Sequence, residues 1–459
     1  MDSLKFGTSG LRGLAVDLEG GPAARYARAF LRHLGVTGGD VLVGRDLRES
    51  SARIAAAVAS GIAAETATPV DCGEISSPAL ALAAISRGIP AIMVSGSHIP
   101  ADRNGLKFFR PEGEITKADE SGILAALESV GAESLPAGSS ARDSEARAAY
   151  LERCRAVAGR PAAAWRIGVW EHSSVLRDDL VALLAELGHE VVRLGRSDEF
   201  VPVDTEAVPA DVAAQIARWG EGHGLDALVS TDADGDRPLV ADETGAILRG
   251  DLLGVLTGRA LNATIAVTGV TANSGIEASG LFNKVLRTRV GSPYIIAGME
   301  AAAGSGWRTV GFEANGGTML GTPMRSNGRE LVALPTREAM LPILAVIGLA
   351  QETGRTLSAL AASVPLRVAR SNRLEGVTPA AGQAFLESLD PGFFAEQGEV
   401  VSHDETDGLR LTLASGDVVH YRQSGNAPEL RCYTEAETAS RAEDLLAWGL
   451  SAARKAIGV

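Results

Sequence analysis

Cysteine is scarce in this chain: Cys72, Cys154 and Cys432 are the only three among 459 residues, far apart and in no metal-ligand spacing. That excludes a disulfide framework or a thiolate metal site and reads as reduced thiols in a cytosolic protein. Basic charge is also in deficit. With 43 Lys and Arg against 57 Asp and Glu, the formal net charge is −14, which leaves no broad basic surface for a nucleic-acid backbone. No apolar run approaches a membrane span and residues 1–5 carry no apolar signal core, so a soluble cytoplasmic protein without membrane partners is expected. Aromatics are only 4%; Ala, Val, Leu and Gly dominate the 46% hydrophobic content, enough for several cores. Charged residues at 22% exclude a mainly disordered chain, and the length implies two to four domains.

Strand and helix signals alternate through the first three-quarters of the chain. Val41–Gly44, Thr68–Val70 and Ala91–Val94 read as strands; Ser51–Glu65 reads as a helix, and Ser77 as an N-cap before Pro78 opening a helix over 79–86. A polar linker is expected over 137–144. The same grammar returns with strands at 166–170, 190–194 and 225–230 and helices at 175–187 and 209–219. A third round starts near Gly250, reaches a strand at 308–312, and closes with a long helical stretch predicted over 336–362. Such alternation predicts mainly parallel, helix-covered sheets. From about Leu366 the texture changes to strands at 408–413 and 418–421 joined through Ser415-Gly416-Asp417, and then a final amphipathic helix at 437–456.

Each round delivers a polar loop from the end of a strand, where open α/β sheets bind ligands. The first is Ser95-Gly96-Ser97-His98-Ile99-Pro100, which presents a hydroxyl at the end of a buried strand and is followed by a turn, Asn104-Gly105-Leu106-Lys107. The second is Asp232-Ala233-Asp234-Gly235-Asp236-Arg237. Carboxylates at alternate positions converge on one hard cation, Mg²⁺ or Ca²⁺, and repel one another without it. An EF-hand is excluded because Arg237 replaces the turn glycine and the flanks read as strands. Arg237 beside the acids suits a phosphate, whose charge the metal alone leaves unbalanced. The third loop is Glu313-Ala314-Asn315-Gly316-Gly317. Two further segments hold anion-binding groups: residues 5–13, with Thr8, Ser9 and Arg12, and Arg422-Gln423-Ser424-Gly425-Asn426. A haloacid-dehalogenase-like phosphatase also places Asp-x-Asp at a strand end, but Asp236 occupies the place where that family has Thr or Val.

Together, the segments at 8–13, 96–107, 232–237, 313–317 and 422–426 resemble the α-D-phosphohexomutase superfamily of phosphomannomutases, phosphoglucomutases and phosphoglucosamine mutases over essentially the whole chain. The resemblance implies three similar mixed α/β domains with mainly parallel sheets and helices on the faces, plus a C-terminal α+β domain, around a central cleft. They would span 1–140 (active-site serine), 141–247 (metal), 248–365 (sugar) and 366–459 (phosphate). It implies that Ser97 is carried as phosphoserine, that Mg²⁺ is bound by Asp232, Asp234, Asp236 and an oxygen on Ser97, and that a hexose 1,6-bisphosphate is intermediate and activator. Arg12, Lys107 and Arg237 would surround the transferring group. Arg422, Ser424, Gly425 and Asn426 would hold the other phosphate, with Glu313 and Asn315 on the sugar hydroxyls. His98 is assigned to ordering the serine loop, and Lys107, with Arg12 beside it, to acid/base work. The chain departs from the family at Ile99 (usually Asn), at Asn426 and Ala427 (usually Thr and Glu) and at Gly317, where dual-specificity bacterial mutases carry His. The expected reaction is reversible 1,6-phosphoryl transfer on mannose or glucose phosphate by a monomer or homodimer. The alternatives are a phosphoglucosamine mutase, a phosphatase, or a non-catalytic sugar-phosphate-binding protein of the same fold.

Overall fold

A computed structural model describes residues 3–7, 10–131, 140–159, 162–304, 306–424 and 428–458. Thr8 and Ser9, and Gly425, Asn426 and Ala427 of the C-terminal loop, lie outside the described residues.

Three mixed sheets follow one plan. In the first, parallel strands Asp40–Arg45, Thr68–Glu74 and Ala91–Val94 lie beside antiparallel Arg103–Arg110, Gly10–Leu14 and Lys5–Gly7. Its central strands are apolar on both faces. Val41 and Val43 pack with helices Gly21–Leu34 and Ser51–Ala64, while Leu42 and Met93 face the helix Ser77–Arg87. That two-sided burial is what a continuous apolar run in a parallel strand encodes. In the second sheet Arg166–His172 lies between Glu190–Arg196 and Ala227–Thr231, all parallel, and Pro238–Ala241 returns antiparallel. In the third, Ile265–Gly269 lies between parallel strands Lys284–Thr288 and Thr309–Phe312, followed by antiparallel Thr318–Leu320 and Leu334–Glu338.

A continuous core joins the three units through helices Ser77–Arg87, Ala146–Val157, Gly250–Ala260 and Met340–Glu352. The C-terminal unit has its own core. Its five antiparallel strands run in the order Val368–Glu375, Glu429–Ala436, Val418–Gln423, Leu409–Leu413, Val400–Asp404, and are covered by the helix Ala439–Ile457. The expected mixed α/β units with an α+β C-terminal part are therefore present. All three cysteines are free, and no helix among the described residues is long and apolar enough to cross a membrane.

Four local expectations change. Ser76, not Ser77, caps the helix Ser77–Arg87, because Ser76 has the extended backbone a cap needs and its hydroxyl accepts from Ala79 N. Residues 336–338 are strand, not helix: Leu334-Pro335-Thr336-Arg337-Glu338 pairs with Thr318–Leu320 before the helix Met340–Glu352 begins. Asn104–Lys107 lies within the strand Arg103–Arg110 and is not a turn; buried Asn104 donates to the hydroxyls of Ser50 and Ser51. Part of the expected linker, Ala141–Arg142, adds a strand to the first sheet beside Thr68–Glu74.

Candidate active site

In each α/β unit the last parallel strand turns back through a polar loop into an antiparallel neighbour. Ala91–Val94 leads to Ser97, Ala227–Thr231 to the three aspartates, and Thr309–Phe312 to Glu313. The hairpin return keeps each loop short and holds its side chains at the sheet's end.

Ser97 has a left-handed backbone, φ 54°, unusual for a residue with a side chain. Its amide donates to Ser95 Oγ at 2.8 Å, and Ser95 Oγ donates to Asp46 Oδ2 at 2.8 Å. The Ser97 hydroxyl donates to Asp232 Oδ2 at 2.5 Å. Asp232 Oδ1 accepts the amides of Asp236 and Arg237, each at 3.1 Å, so its own loop orients it.

Asp232, Asp234 and Asp236 are fully buried and offer oxygens within 4.8 Å of one another. Lys107 Nζ lies 2.5 Å from Asp234 Oδ2 and 2.5 Å from Asp236 Oδ2. Burial alone would lower the Lys107 pKa, but these carboxylates raise it, so it stays an ammonium. Burial and the neighbouring Asp236 and Asp234 push Asp232 well above the usual carboxylate range. On Asp236, Arg337, Lys107 and Arg237 outweigh burial and drive the carboxyl far down. Asp234 Oδ1 and Asp236 Oδ1 are buried with no hydrogen-bond donor among the described residues. Unsatisfied buried carboxylate oxygens in a hard-donor set fit a divalent cation such as Mg²⁺.

His98 Nδ1 accepts from Arg237 Nη1 at 3.0 Å and lies 3.4 Å from Ser97 Oγ. Burial, Arg237 and Arg12 hold the imidazole far below its ordinary pKa, so it is neutral. Arg12, on the strand Gly10–Leu14, is pushed down to about 10 by burial and by Arg237 and Arg337. These three guanidiniums and the Lys107 ammonium set concentrated positive charge against the carboxylates of Asp232, Asp234, Asp236 and Glu313.

Glu313 and Asn315 are brought close: Glu313 Oε2 accepts from Arg337 at 3.1 Å, and Asn315 Oδ1 accepts the Gly317 amide at 3.0 Å. Thr205, from the second unit, donates to Asn315 O at 3.0 Å. Arg422 and Ser424 sit apart, on the C-terminal unit. Arg422 Nε donates to Asp407 Oδ2 at 2.8 Å, an oxygen that also accepts the Val290 amide of the third unit, and the Ser424 amide donates to Glu429 O at 2.9 Å.

Three residues at the site were not foreseen. Arg48, 3% exposed, donates to the carbonyls of Ser97, Ile99, Pro100 and Arg103 at 2.6–3.0 Å, and Phe200 of the second unit lies over its guanidinium at 3.8 Å. A β-carbon on Gly96 would come within 2.9 Å of that guanidinium, which accounts for the glycine before Ser97. Arg48 follows the end of the strand Asp40–Arg45, so the strand-end rule was a usable signal. Ser77, read as a cap, instead donates its hydroxyl to Asp234 Oδ2 and lies 3.3 Å from Lys107 Nζ. Arg337 was hidden by the helical reading of 336–362; the alternation around Pro335 was its signal.

Family models match this chain over residues 3–133, as "Phosphoglucomutase/phosphomannomutase, alpha/beta/alpha domain I", and over 241–367, as domain III of the same set. A phosphomannomutase of Sinorhizobium fredii is 47% identical, covering 97% of this chain and 98% of its own. A phosphomannomutase of Salmonella muenchen is 40% identical over 99% and 96%. The crystal structure of a putative phosphomannomutase from Thermus thermophilus shares the fold, with a TM-score of 0.76 at 22% identity, covering 100% of this chain and 99% of that one.

Proposed function

The chain belongs to the phosphoglucomutase/phosphomannomutase family of α-D-phosphohexomutases and is a hexose phosphate mutase; from that premise we propose that it exchanges phosphate between the 1- and 6-positions of mannose or glucose through phosphoserine at Ser97. The observation that carries this reading is the Ser97 hydroxyl bonded to Asp232 at 2.5 Å, beside two further buried aspartates and the cations Lys107 and Arg237. Phosphoryl transfer depends on such placement and charge neutralisation more than on covalent assistance.

In the forward sense the Ser97 Oγ–phosphorus bond breaks as the free hydroxyl of the hexose phosphate forms a new one, and the hydroxyl's proton passes to the departing Ser97 Oγ, giving a 1,6-bisphosphate and a free serine hydroxyl. The bisphosphate turns over in the cleft and returns its other phosphoryl group to Ser97. A trace of bisphosphate therefore acts as activator by phosphorylating unmodified enzyme. In that unmodified enzyme Asp232 holds the serine proton. Asp232, Asp234, Asp236 and an oxygen on Ser97 would hold Mg²⁺, which when bound neutralises charge on the phosphoryl oxygens. Lys107, already an ammonium, contributes charge and can return a proton, and Arg12 supports it electrostatically. Neutral His98, fixed by Arg237, orders the serine loop. Glu313 and Asn315 receive sugar hydroxyls. Arg422, whose Nε is paired with Asp407, would hold the non-reacting phosphate together with Ser424, Gly425 and Asn426. On this reading the serine, metal, sugar and phosphate functions fall to stretches 1–140, 141–247, 248–365 and 366–459.

The relatives named for mannose favour mannose phosphate over glucosamine phosphate. The test is parallel incubation of mannose 1-phosphate, glucose 1-phosphate and glucosamine 1-phosphate with Mg²⁺ and a trace of the matching bisphosphate, measuring 6-phosphate and inorganic phosphate. The expected product is 6-phosphate from the mannose and glucose compounds without phosphate release. Net phosphate release would make the enzyme a phosphatase, and preference for the glucosamine compound would select the phosphoglucosamine alternative.

A further inference from the structure

Arg337 enters the cleft from the strand Leu334–Glu338 and joins two loops that belong to different units. Its Nη2 donates to Asp236 Oδ2 at 3.0 Å and its Nη1 to Glu313 Oε2 at 3.1 Å. The side chain is 3% exposed. Both carboxylates sit on hairpin loops that end their sheets, so one rigid guanidinium sets the distance between the aspartate loop and the Glu313 loop.

The room for this side chain comes from Gly317. A β-carbon built there would lie 2.7 Å from Arg337 Cδ, 2.9 Å from Cγ and 3.2 Å from Cβ. Gly317 does not have a left-handed φ, so its backbone does not require glycine; the arginine stem does. Asp236 also has Lys107 at 2.5 Å and Arg237 at 3.7 Å, so Arg337 is not needed merely to neutralise it. What Arg337 adds is the tie to Glu313. A planar fork holds two carboxylates on separate nitrogens at a fixed spacing, whereas a lysine's single ammonium, as at Lys107, joins only carboxylates that both reach one nitrogen.

We propose that Arg337 is a positioning residue for sugar recognition: it fixes the Glu313 carboxylate in register with the aspartate loop, and Gly317 lacks a side chain to admit it. The proposal rests on the hexose phosphate reading and deepens it. It also gives the Gly317 departure a physical meaning, since the place of a side chain at 317 is taken by the aliphatic stem of Arg337, delivered from the neighbouring strand.

The test compares the wild-type enzyme with Arg337→Ala, Arg337→Lys, Gly317→Ala and the Gly317→Ala/Arg337→Ala double variant. The readouts are mannose 6-phosphate binding by calorimetry in EDTA, KM and kcat with Mg²⁺, and circular dichroism. Arg337→Ala should weaken binding and raise KM by about tenfold or more, the scale of one charge-assisted hydrogen bond, with a smaller change in kcat. Low, non-denaturing guanidinium should recover part of the Arg337→Ala loss, and Arg337→Lys should fall between wild type and alanine. Gly317→Ala should shift KM the same way and add little in the Arg337→Ala background, because both changes remove the same placement. Should Arg337→Ala fail to fold, Arg337→Lys and Gly317→Ala carry the test. Unchanged binding in the folded variants, a loss confined to kcat, or fully additive effects would overturn the proposal. A wild-type enzyme that turns over no hexose phosphate would instead overturn the functional reading beneath it.

Discussion

Ser97 Oγ lies 2.5 Å from Asp232 Oδ2, although the two residues are 135 positions apart and belong to different sheets. Ser97 reaches this position from a left-handed backbone, an arrangement that costs a side-chain-bearing residue about 1 kcal/mol. Strain of this kind is kept where a neighbouring structure over-determines it and the reaction needs it.

The nucleophile and the strain therefore separate experimentally. Intact-mass measurement of freshly purified wild-type protein should show a fraction carrying one phosphate, and Ser97→Ala should lose that fraction and abolish turnover. Ser97→Gly should be equally inactive yet more stable than Ser97→Ala by about 1 kcal/mol in urea unfolding, since glycine accepts the positive φ. Full turnover in either variant would remove Ser97 from the mechanism.

The unpartnered oxygens of Asp234 and Asp236 predict a metal-linked stability. Adding Mg²⁺ should raise the wild-type Tm by mass action, and EDTA should stop turnover. Asp234→Asn should lose both responses while keeping the wild-type circular dichroism spectrum. If the variant still gains Tm with Mg²⁺, the ion binds elsewhere.

Arg48 holds four backbone carbonyls of the serine loop and is paired with buried Asp46 at 3.2 Å. Removing it leaves Asp46 without its ion-pair partner, so Arg48→Ala should destabilise the protein by about 3 kcal/mol. Arg48→Lys, which keeps the charge but cannot span the carbonyls, should lower kcat by about 100-fold through misplacement of Ser97. A lysine variant with wild-type kcat would show that the loop holds its own shape.

Two histidines set an acid limit on stability. His172 and His420 each use Nε2 to donate to a backbone carbonyl, and their Nδ1 atoms are buried without a partner among the described residues. Burial lowers both to about 4. Below their ordinary value of about 6.5 the unfolded chain takes up protons that the folded chain refuses until about pH 4. Stability is therefore lost as pH falls through that window, at up to about 3 kcal/mol per pH unit for the pair. Urea unfolding at pH 7.5 and 5.5 measures this; because buried His98 also refuses its proton in this window, His420→Gln should remove about a third of the slope. A flat profile would mean that both rings accept protons when folded.

Much of the site was legible because local chemistry is written in local sequence. The alternating aspartates at 232, 234 and 236, the Gly-Ser-His turn and the Glu313 loop each sit at a strand end that the alternating apolar runs announce. The helix misreading over 336–338 has an equally local cause: Met340–Glu352 is apolar on nearly every face, so no periodicity marks where the preceding strand ends. Arg337 was lost with that boundary. Arg48 was missed for a different reason, since a lone arginine after a strand has no signature until the carbonyls it binds are in place.

The amino-acid sequence by itself determined which groups exist and which loop carries each: one hydroxyl, three carboxylates and a set of cations on strand ends, because side-chain chemistry and strand periodicity are properties of short segments. Only the tertiary structure decided their partnerships. It placed Ser97 against Asp232, made Lys107 a bridge between Asp234 and Asp236, and used the empty place above Gly317 for Arg337. The first two pairings arise from packing three sheets onto one core, where a contact between residues more than a hundred positions apart is fixed by that packing and not by either segment, and the third from the pairing of Thr318–Leu320 with Leu334–Glu338.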